Sequence, residues 1–353
     1  MSLTVLSVGY PLAKVSENTA GGAEQVLATL DEALVRHGHR SLVLAPVGSQ
    51  CHGLLIPAQI PSGILDDQAK RQARQTFRHL LNRTLEHYSV DLVHMHGLDF
   101  PEYLPDADVP VVVTLHLPLS WYTPEALRTC NTGTMLVCVS KTQARTAPPS
   151  VRIESVIANG VDLTRFQPSK KKGSYAVAMG RICPEKGFHL AMDAAARAGV
   201  RLIIAGKVFD YPEHREYFET QIRPRLNQDA RFVGPVGGAR KSQLLAGAKC
   251  LLVPSLAHET SSLVAMEAIA SGTPVIASRI GALEEIVNHG KTGFLVRSAE
   301  EMPDAIVCAD SIRPDVCRRE AERRFSAETT SAEYLNLYRS VLSSPRVPEL
   351  QVA

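Results

Sequence analysis

The sequence contains no apolar run approaching 18 residues, so no segment in it is long enough to cross a bilayer as a helix. Its first apolar run, residues 3–9, is shorter than the hydrophobic stretch of a secretion signal and has no basic start. An excess of one charge is missing too: a net charge of +2 over 353 residues makes no general case for nucleic acid as a partner. There is no Cys-x-x-Cys pair and no Cys/His cluster at zinc spacing; the seven cysteines are scattered at positions 51, 130, 138, 183, 250, 308 and 317. Cys138 and Cys250 lie in apolar, strand-like runs and read as reduced core residues, which points to a cytoplasmic protein. No segment repeats at a fixed period. The loop after the first strand runs Gly9-Tyr10-Pro11-Leu12-Ala13, without Gly-x-Gly-x-x-Gly, and this disfavours a nicotinamide dinucleotide site.

What is present is the composition of a soluble globular protein, 45% hydrophobic and 21% charged, in a chain long enough for two domains. A strand at 3–9, a helix at 23–37 stopped by Gly38, and a strand at 40–45 make a βαβ opening, the mark of a parallel, doubly wound sheet. Strands follow at 91–97, 109–118 and 135–140. Ligands of such sheets bind beyond the carboxyl ends of the strands, where His94, His96 and His116 fall. His94, inside its strand, is expected to be structural. No carboxylate at ligand spacing accompanies the three histidines, so they are not expected to hold a metal.

The helix at 67–87 carries Lys70, Arg71, Arg74, Arg78 and Arg83 around an apolar set of Phe77, Leu80, Leu81 and Leu85. It reads as a solvated face over a core stripe; a basic surface for an anionic acceptor or a membrane headgroup is the sharper alternative. Asn159-Gly160 supplies a tight turn, and residues 169–174, with Lys170 to Lys172, read as a solvated hinge.

The second half holds the informative stretch, residues 250–277. Apolar runs at 250–253 and 275–277 suit buried parallel strands. Between them Thr260, Ser261 and Ser262 are competent helix N-caps, and Gly272 with Pro274 ends the helix. Glu259 and Glu267 are eight residues apart, about 12 Å along the axis if both were helical, too far to share one small group. The caps resolve this by leaving Glu259 in the loop and Glu267 a turn inside the helix. The amides of Ser262, Leu263 and Val264 then lie between the two carboxylates, and a helix start favours a phosphate through its unpaired N–H groups and its dipole. Upstream, Arg181 and Lys186 flank a turn into a helix, where acids are usual. A guanidinium fork and an ammonium point charge there suit a diphosphate.

Glu259, seven residues, Glu267 and then Ala268-Ile-Ala270-Ser-Gly272-Thr-Pro-Val275 resemble the C-terminal signature of the retaining family 4 glycosyltransferases of GT-B fold. Gly180-Arg181 to Lys186-Gly187 is similar to the diphosphate clamp of that family, Gly21-Gly22 to its N-terminal loop, Thr114-x-His116 to its sugar-facing histidine, and residues 156–168 to its crossover between domains. One departure is present: the Pro-Phe-Gly that usually follows the first glutamate is Thr260-Ser261-Ser262 here.

The resemblance implies an α/β chain with two Rossmann-like domains facing a cleft. Residues 1–168 would form the acceptor side and 169–326 the donor side, with a last helix near 327–345 crossing back. It implies transfer of a sugar from a nucleotide-diphosphate sugar, UDP-linked in preference to GDP-linked, with retention and without a metal or other cofactor. Arg181, Lys186 and the amides of Ser262, Leu263 and Val264 would hold the diphosphate, Glu267 the ribose and Glu259 the donor sugar. Gly22 would lie at the donor, and Gly21, His96 and His116 on the acceptor side. The loop through Val233 would border the base. The acceptor would be a small molecule, a glycan or a lipid-linked sugar, with peripheral membrane contact open. A sugar-nucleotide epimerase of the same architecture and a silent sugar-nucleotide binder remain as alternatives.

Overall fold

The strands are near-continuous apolar runs, the pattern of parallel sheets covered on both faces. In the computed structural model, which describes residues 2–19, 21–60, 66–128, 133–169 and 171–343, they form two sheets. The first holds β1 (Thr4–Val8), β2 (Arg40–Pro46), β3 (Leu54–Ala58), β4 (Leu92–Met95), β5 (Val111–Leu115), β6 (Thr134–Cys138) and β7 (Ile153–Val156). The second holds β8 (Tyr175–Met179), β9 (Arg201–Ala205), β10 (Ala230–Phe232), β11 (Cys250–Val253), β12 (Val275–Ser278) and β13 (Gly293–Val296). Their orders are β3-β2-β1-β4-β5-β6-β7 and β10-β9-β8-β11-β12-β13, with parallel pairing throughout. The strand order reverses once in each sheet, between β1 and β4 and between β8 and β11. Crevices open at those points beyond the strand ends.

The helices between the strands of the first sheet are α1 (Gly22–Arg36), α2 (Asp67–His87), α3 (Pro124–Arg128) and α4 (Lys141–Ala144). Those of the second half are α5 (Phe188–Arg197), α6 (Pro212–Tyr217), α7 (Gly238–Gly247), α8 (Leu263–Ala270), α9 (Leu283–Ile286), α10 (Met302–Cys308) and α11 (Pro314–Arg324). The last, α12 (Ala327–Ser343), lies against the first sheet: Tyr334, Leu335 and Tyr338 share a core with Val5, Leu34, Leu92 and Val112. Residues 344–345 of the expected last helix, Cys130 and Lys170 fall outside the described residues.

A buried hydrogen-bonded chain fastens α12 down. His94 Nδ1 meets the Tyr338 hydroxyl at 2.6 Å, His94 Nε2 meets Thr114 Oγ1 at 2.7 Å, and Thr114 Oγ1 meets the Tyr334 hydroxyl at 2.9 Å. His94 is therefore structural. The chain crosses between the halves twice, and the crossings pair: Val161 N donates to Phe325 O at 2.8 Å, and Ala327 N to Val161 O at 3.0 Å.

Lys172 differs from the sequence expectation. It is half-buried, and its ammonium donates to Ala246 O at 2.8 Å, Ser271 O at 3.3 Å and Thr273 Oγ1 at 2.5 Å. Burial lowers its pKa to about 8. It satisfies carbonyls near the ends of α7 and α8, a favourable place for a cation. Lys171 is exposed, as a hinge residue would be. On α2, Phe77 and Leu81 are fully buried while Arg74 pairs with Asp99 at 2.7 Å and Arg78 with Asp106 at 2.6 Å. The edge strands β3, β7 and β10 escape a sequence reading for separate reasons: Pro57 interrupts β3, Glu154 and Ser155 break up β7, and β10 has only three residues. Helix α7 begins at Gly238. Its first amide is held by Asn18 Oδ1 of the other half at 3.0 Å.

Replacing Tyr338 by Phe strands a buried imidazole nitrogen and is expected to cost about 1–3 kcal/mol in urea unfolding. Burial holds His94 at about 3, so below about 6.5 the unfolded chain takes up a proton that the folded chain refuses. Stability is then lost as pH falls from about 6.5 towards 3. Urea midpoints measured from pH 7 to pH 5 should fall less steeply in His94→Gln than in the parent protein.

Candidate active site

Helix α8 is buried over most of its length, from Ala265 to Ala270, yet starts at the junction of the two halves. Ser262 is its N-cap in extended conformation, with no side-chain capping bond. Among the described residues, the amides of Leu263, Val264 and Ala265 have no hydrogen-bond partner; the first turn closes with Met266 N to Ser262 O at 3.1 Å. The helical amides thus begin one residue later than the sequence suggests. Leu263 packs against both halves, and a Cβ on Gly22 would stand 3.7 Å from it. Gly21 caps α1, where a Cβ would run into the Glu24 carboxylate at 1.8 Å.

Both glutamates carry ammonium partners. Glu267, almost fully buried, accepts from Lys241 Nζ at 2.5 Å, and Lys241 also lies 5.7 Å above the Phe166 ring. The other Glu267 oxygen, Oε2, is buried without a partner. Glu259 stays in the loop, as the caps suggest, and accepts from Lys186 Nζ at 2.6 Å and from Ser255 Oγ. The loop is held from behind where Ala282 N donates to Glu259 O at 2.8 Å; the preceding Gly281 has a φ of +58°, and a Cβ there would collide with Glu259 O at 2.5 Å.

The turn after β8 brings its two cations to the second crevice. Gly187 takes a φ of +64°, and a Cβ there would collide with Pro254 O at 2.2 Å, so the turn packs directly on the end of β11. Arg181 is half-buried, and among the described residues its guanidinium makes no hydrogen bond or ion pair. Its charge acts on Glu24 across the cleft; burial nevertheless raises the pKa of Glu24.

On the opposite wall His96 Nδ1 lies 3.0 Å from His116 Nε2, with the rings stacked at 5.2 Å. Burial lowers His116 to about 3 and His96 well below its ordinary value, so both are neutral imidazoles near pH 7. His96 Nε2 is buried and unpartnered. Thr260 Oγ1 donates to His116 O at 2.7 Å and draws the Glu259 loop against the end of β5.

A cleft of about 50 Å³ between the halves is lined by Glu17, Asn18, Thr19, Lys241, Leu263 and Glu267, among others. Val236 and Gly237 also line it, whereas Val233 uses its amide on Ile204 O at 2.9 Å. Lys241 is the residue that sequence reading missed. Only the fold brings it, 26 residues before Glu267, to that carboxylate. The chain holds one Asp-x-Asp triplet, Asp106-Ala107-Asp108, and Asp106 there takes up Arg78 and Asn82 of α2.

Two doubly wound parallel sheets with helices on their faces are the architecture of the GT-B glycosyltransferases. Comparison with known proteins gives the same class. The model for Glycosyltransferase Family 4 matches residues 20–165, and that for glycosyl transferases group 1 matches residues 173–309. The chain belongs to glycosyltransferase family 4 and is a glycosyltransferase. It is 25% identical to the phosphatidyl-myo-inositol mannosyltransferase of Mycobacterium leprae over 93% of this chain and 96% of that protein. It is 30% identical to the D-inositol 3-phosphate glycosyltransferase of Saccharomonospora viridis over 59% of this chain and 54% of that protein. Among solved structures, AviGT4, a glycosyltransferase involved in avilamycin A biosynthesis, superimposes with a TM-score of 0.73 at 26% identity over 97% of this chain and 99% of that one. Anabaena HepE in complex with UDP and glucose shares the fold, with a TM-score of 0.74 at 21% identity over 96% and 100% of the two chains.

Lys241→Met leaves Glu267 buried without its partner and is expected to destabilise the protein by about 3 kcal/mol. Adding Glu267→Gln should restore part of that loss, so the double variant unfolds at higher urea than Lys241→Met alone. A double variant no better than the single would mean the pair is not energetically coupled.

Proposed function

We propose that this glycosyltransferase takes its sugar from a nucleotide-diphosphate donor, UDP-linked in preference to GDP-linked, and transfers it with retention and without a metal. The observation that carries the donor reading is Glu267: one oxygen is held by Lys241 and the other is buried in the protein with no donor to pair with. A buried acceptor left unmatched is costly, and a ribose hydroxyl would satisfy it. The open amides at the start of α8 suit the diphosphate. Complexes of HepE with UDP and with UDP-glucose support the choice of uracil.

In this reading Arg181 and Lys186 offset the negative charge that builds on the departing diphosphate, which makes a metal dispensable. Lys186 stands on Glu259 in the structure, so it has to be shared between that carboxylate and the phosphate. Glu259 faces the donor sugar, and the neutral His96–His116 pair borders sugar and acceptor. The acceptor hydroxyl attacks on the face from which the nucleotide leaves, and a phosphate oxygen of the leaving group takes its proton. The acceptor is drawn from small molecules, glycans and lipid-linked sugars; a mannosyltransferase named for phosphatidyl-myo-inositol among the relatives favours the lipid-linked class. No helix among the described residues is long and apolar enough to cross a membrane. The exposed Arg71 and Arg83 of α2 offer a surface for anionic headgroups.

Incubation with a panel of UDP- and GDP-sugars tests the reaction. Free nucleotide with a new glycoside is the expected outcome, whereas an altered sugar nucleotide means epimerisation and binding without product means a silent binder. Arg181→Ala should lower turnover about 100- to 1000-fold, the scale of one lost charge contact in the transition state. Calorimetry should show weaker UDP binding by Glu267→Ala. Activity that disappears with EDTA and returns with magnesium would sink the metal-free mechanism.

A further inference from the structure

Outside the donor cleft the fold assembles a set of metal-ligand side chains that the spacing of cysteines and histidines does not reveal. Cys183 and Glu185 lie on the turn after β8, and His214 lies on α6, roughly thirty residues on. One candidate ligand atom from each of the three lies within 4.8 Å of the other two. Cys183 is buried, and its thiol donates to Arg181 O at 3.6 Å. His214 Nδ1 is buried and has no hydrogen-bond partner, an unusual state for an imidazole nitrogen. Its ring packs edge-on against Tyr211 at 5.1 Å and Phe209 at 6.3 Å. Glu185 is exposed and gives an entry path, while Leu256 N anchors its carbonyl at 2.8 Å.

We propose that Cys183, Glu185 and His214 form a zinc-binding site on the turn that carries Arg181 and Lys186. A thiolate, an imidazole and a carboxylate make the mixed S, N, O set that zinc accepts and that magnesium and calcium do not. A tetrahedral zinc with its usual bond lengths needs ligand atoms about 3.3–3.7 Å apart. The three groups reach that by small rotations of Glu185 and His214. On binding, the thiol proton of Cys183 leaves to solvent. The thiolate and carboxylate together match the charge of the ion, and three protein ligands leave a fourth position for water. The guanidinium of Arg181 lies near enough to act on both Glu185 and His214, which tempers the affinity. Zinc there would tie the β8 turn to α6, and with it the two cations that the turn presents to the cleft. The site stands on its own residues, whatever the donor proves to be.

The test uses the reduced, metal-stripped full chain, titrated with zinc against a chromophoric chelator. One zinc per chain at micromolar affinity or tighter is expected, weakened at least ~10-fold in His214→Gln and in Cys183→Ser, since even the outer partners of a metal site carry that much. Cobalt in place of zinc should give a thiolate charge-transfer band that Cys183→Ser lacks. Because Cys183 is buried, His214→Gln and Glu185→Gln, both at accessible positions, decide the matter if Cys183→Ser does not fold. Equal zinc affinity in His214→Gln and Glu185→Gln overturns the proposal, as does the absence of zinc uptake below millimolar concentration. A second group, Glu17, Glu32 and His52, also brings ligand atoms within 4.8 Å. Zinc binding lost in His52→Gln but kept in His214→Gln would assign the ion there and overturn the assignment to the turn.

Discussion

A buried helix that begins in a cleft has amides with nothing in the protein to bond to, and this is the constraint from which the site follows. Helix α8 packs Ala265, Met266, Ala268 and Ile269 into the core of the second half, so its direction is set by apolar burial. Its start is left at the junction with the first half. There the dipole and the unpaired N–H groups of Leu263 to Ala265 present partial positive charge. Glu267, one turn in, has to be buried by the same packing, and Lys241 compensates its charge.

Among the described residues the halves meet through polar contacts, some of which hold site residues. Thr260 reaches His116 O, Asn18 reaches Gly238 N at 3.0 Å, and Arg165 pairs with Glu17 at 2.5 Å. Glu285 of α9 accepts from the amides of Lys141 and Thr142 at the start of α4. Such contacts can be broken by water at little cost, in contrast to the apolar seat of α12 under Tyr334 and Tyr338. The last helix is thus a fixed part of the first half, and the cleft contacts are the ones able to part.

Much of the architecture was legible in the sequence. The βαβ opening pointed to a doubly wound sheet in the first half, the resemblance to a known family supplied the second, and the run Thr260 to Ser262 placed Glu259 in the loop and Glu267 in the helix, as the structure has them. Residues at a fixed short spacing, Arg181 and Lys186 among them, could be found because one turn carries both. Contacts made by topology could not. Lys241 reaches Glu267 only after α7 and α8 pack together, and Cys183 meets His214 only after β8 and α6 do. Lys172 read as solvent-exposed because its neighbours are lysines, while its acceptors, Ala246 O, Ser271 O and Thr273, come from distant segments. A hydrophilic composition says nothing about which carbonyls lie within reach of a long side chain.

The paired crossings at Val161 and at Phe325 to Ala327 make the connection between the halves a double strap. A single tether would let one body swivel freely about the other. Two parallel segments bonded edge to edge resist sideways swivelling and yield most readily about the line they share. With Lys172 riveted into the second half and Arg318 holding the carbonyls of Leu163 and Phe166, the jaws are built to part along one arc.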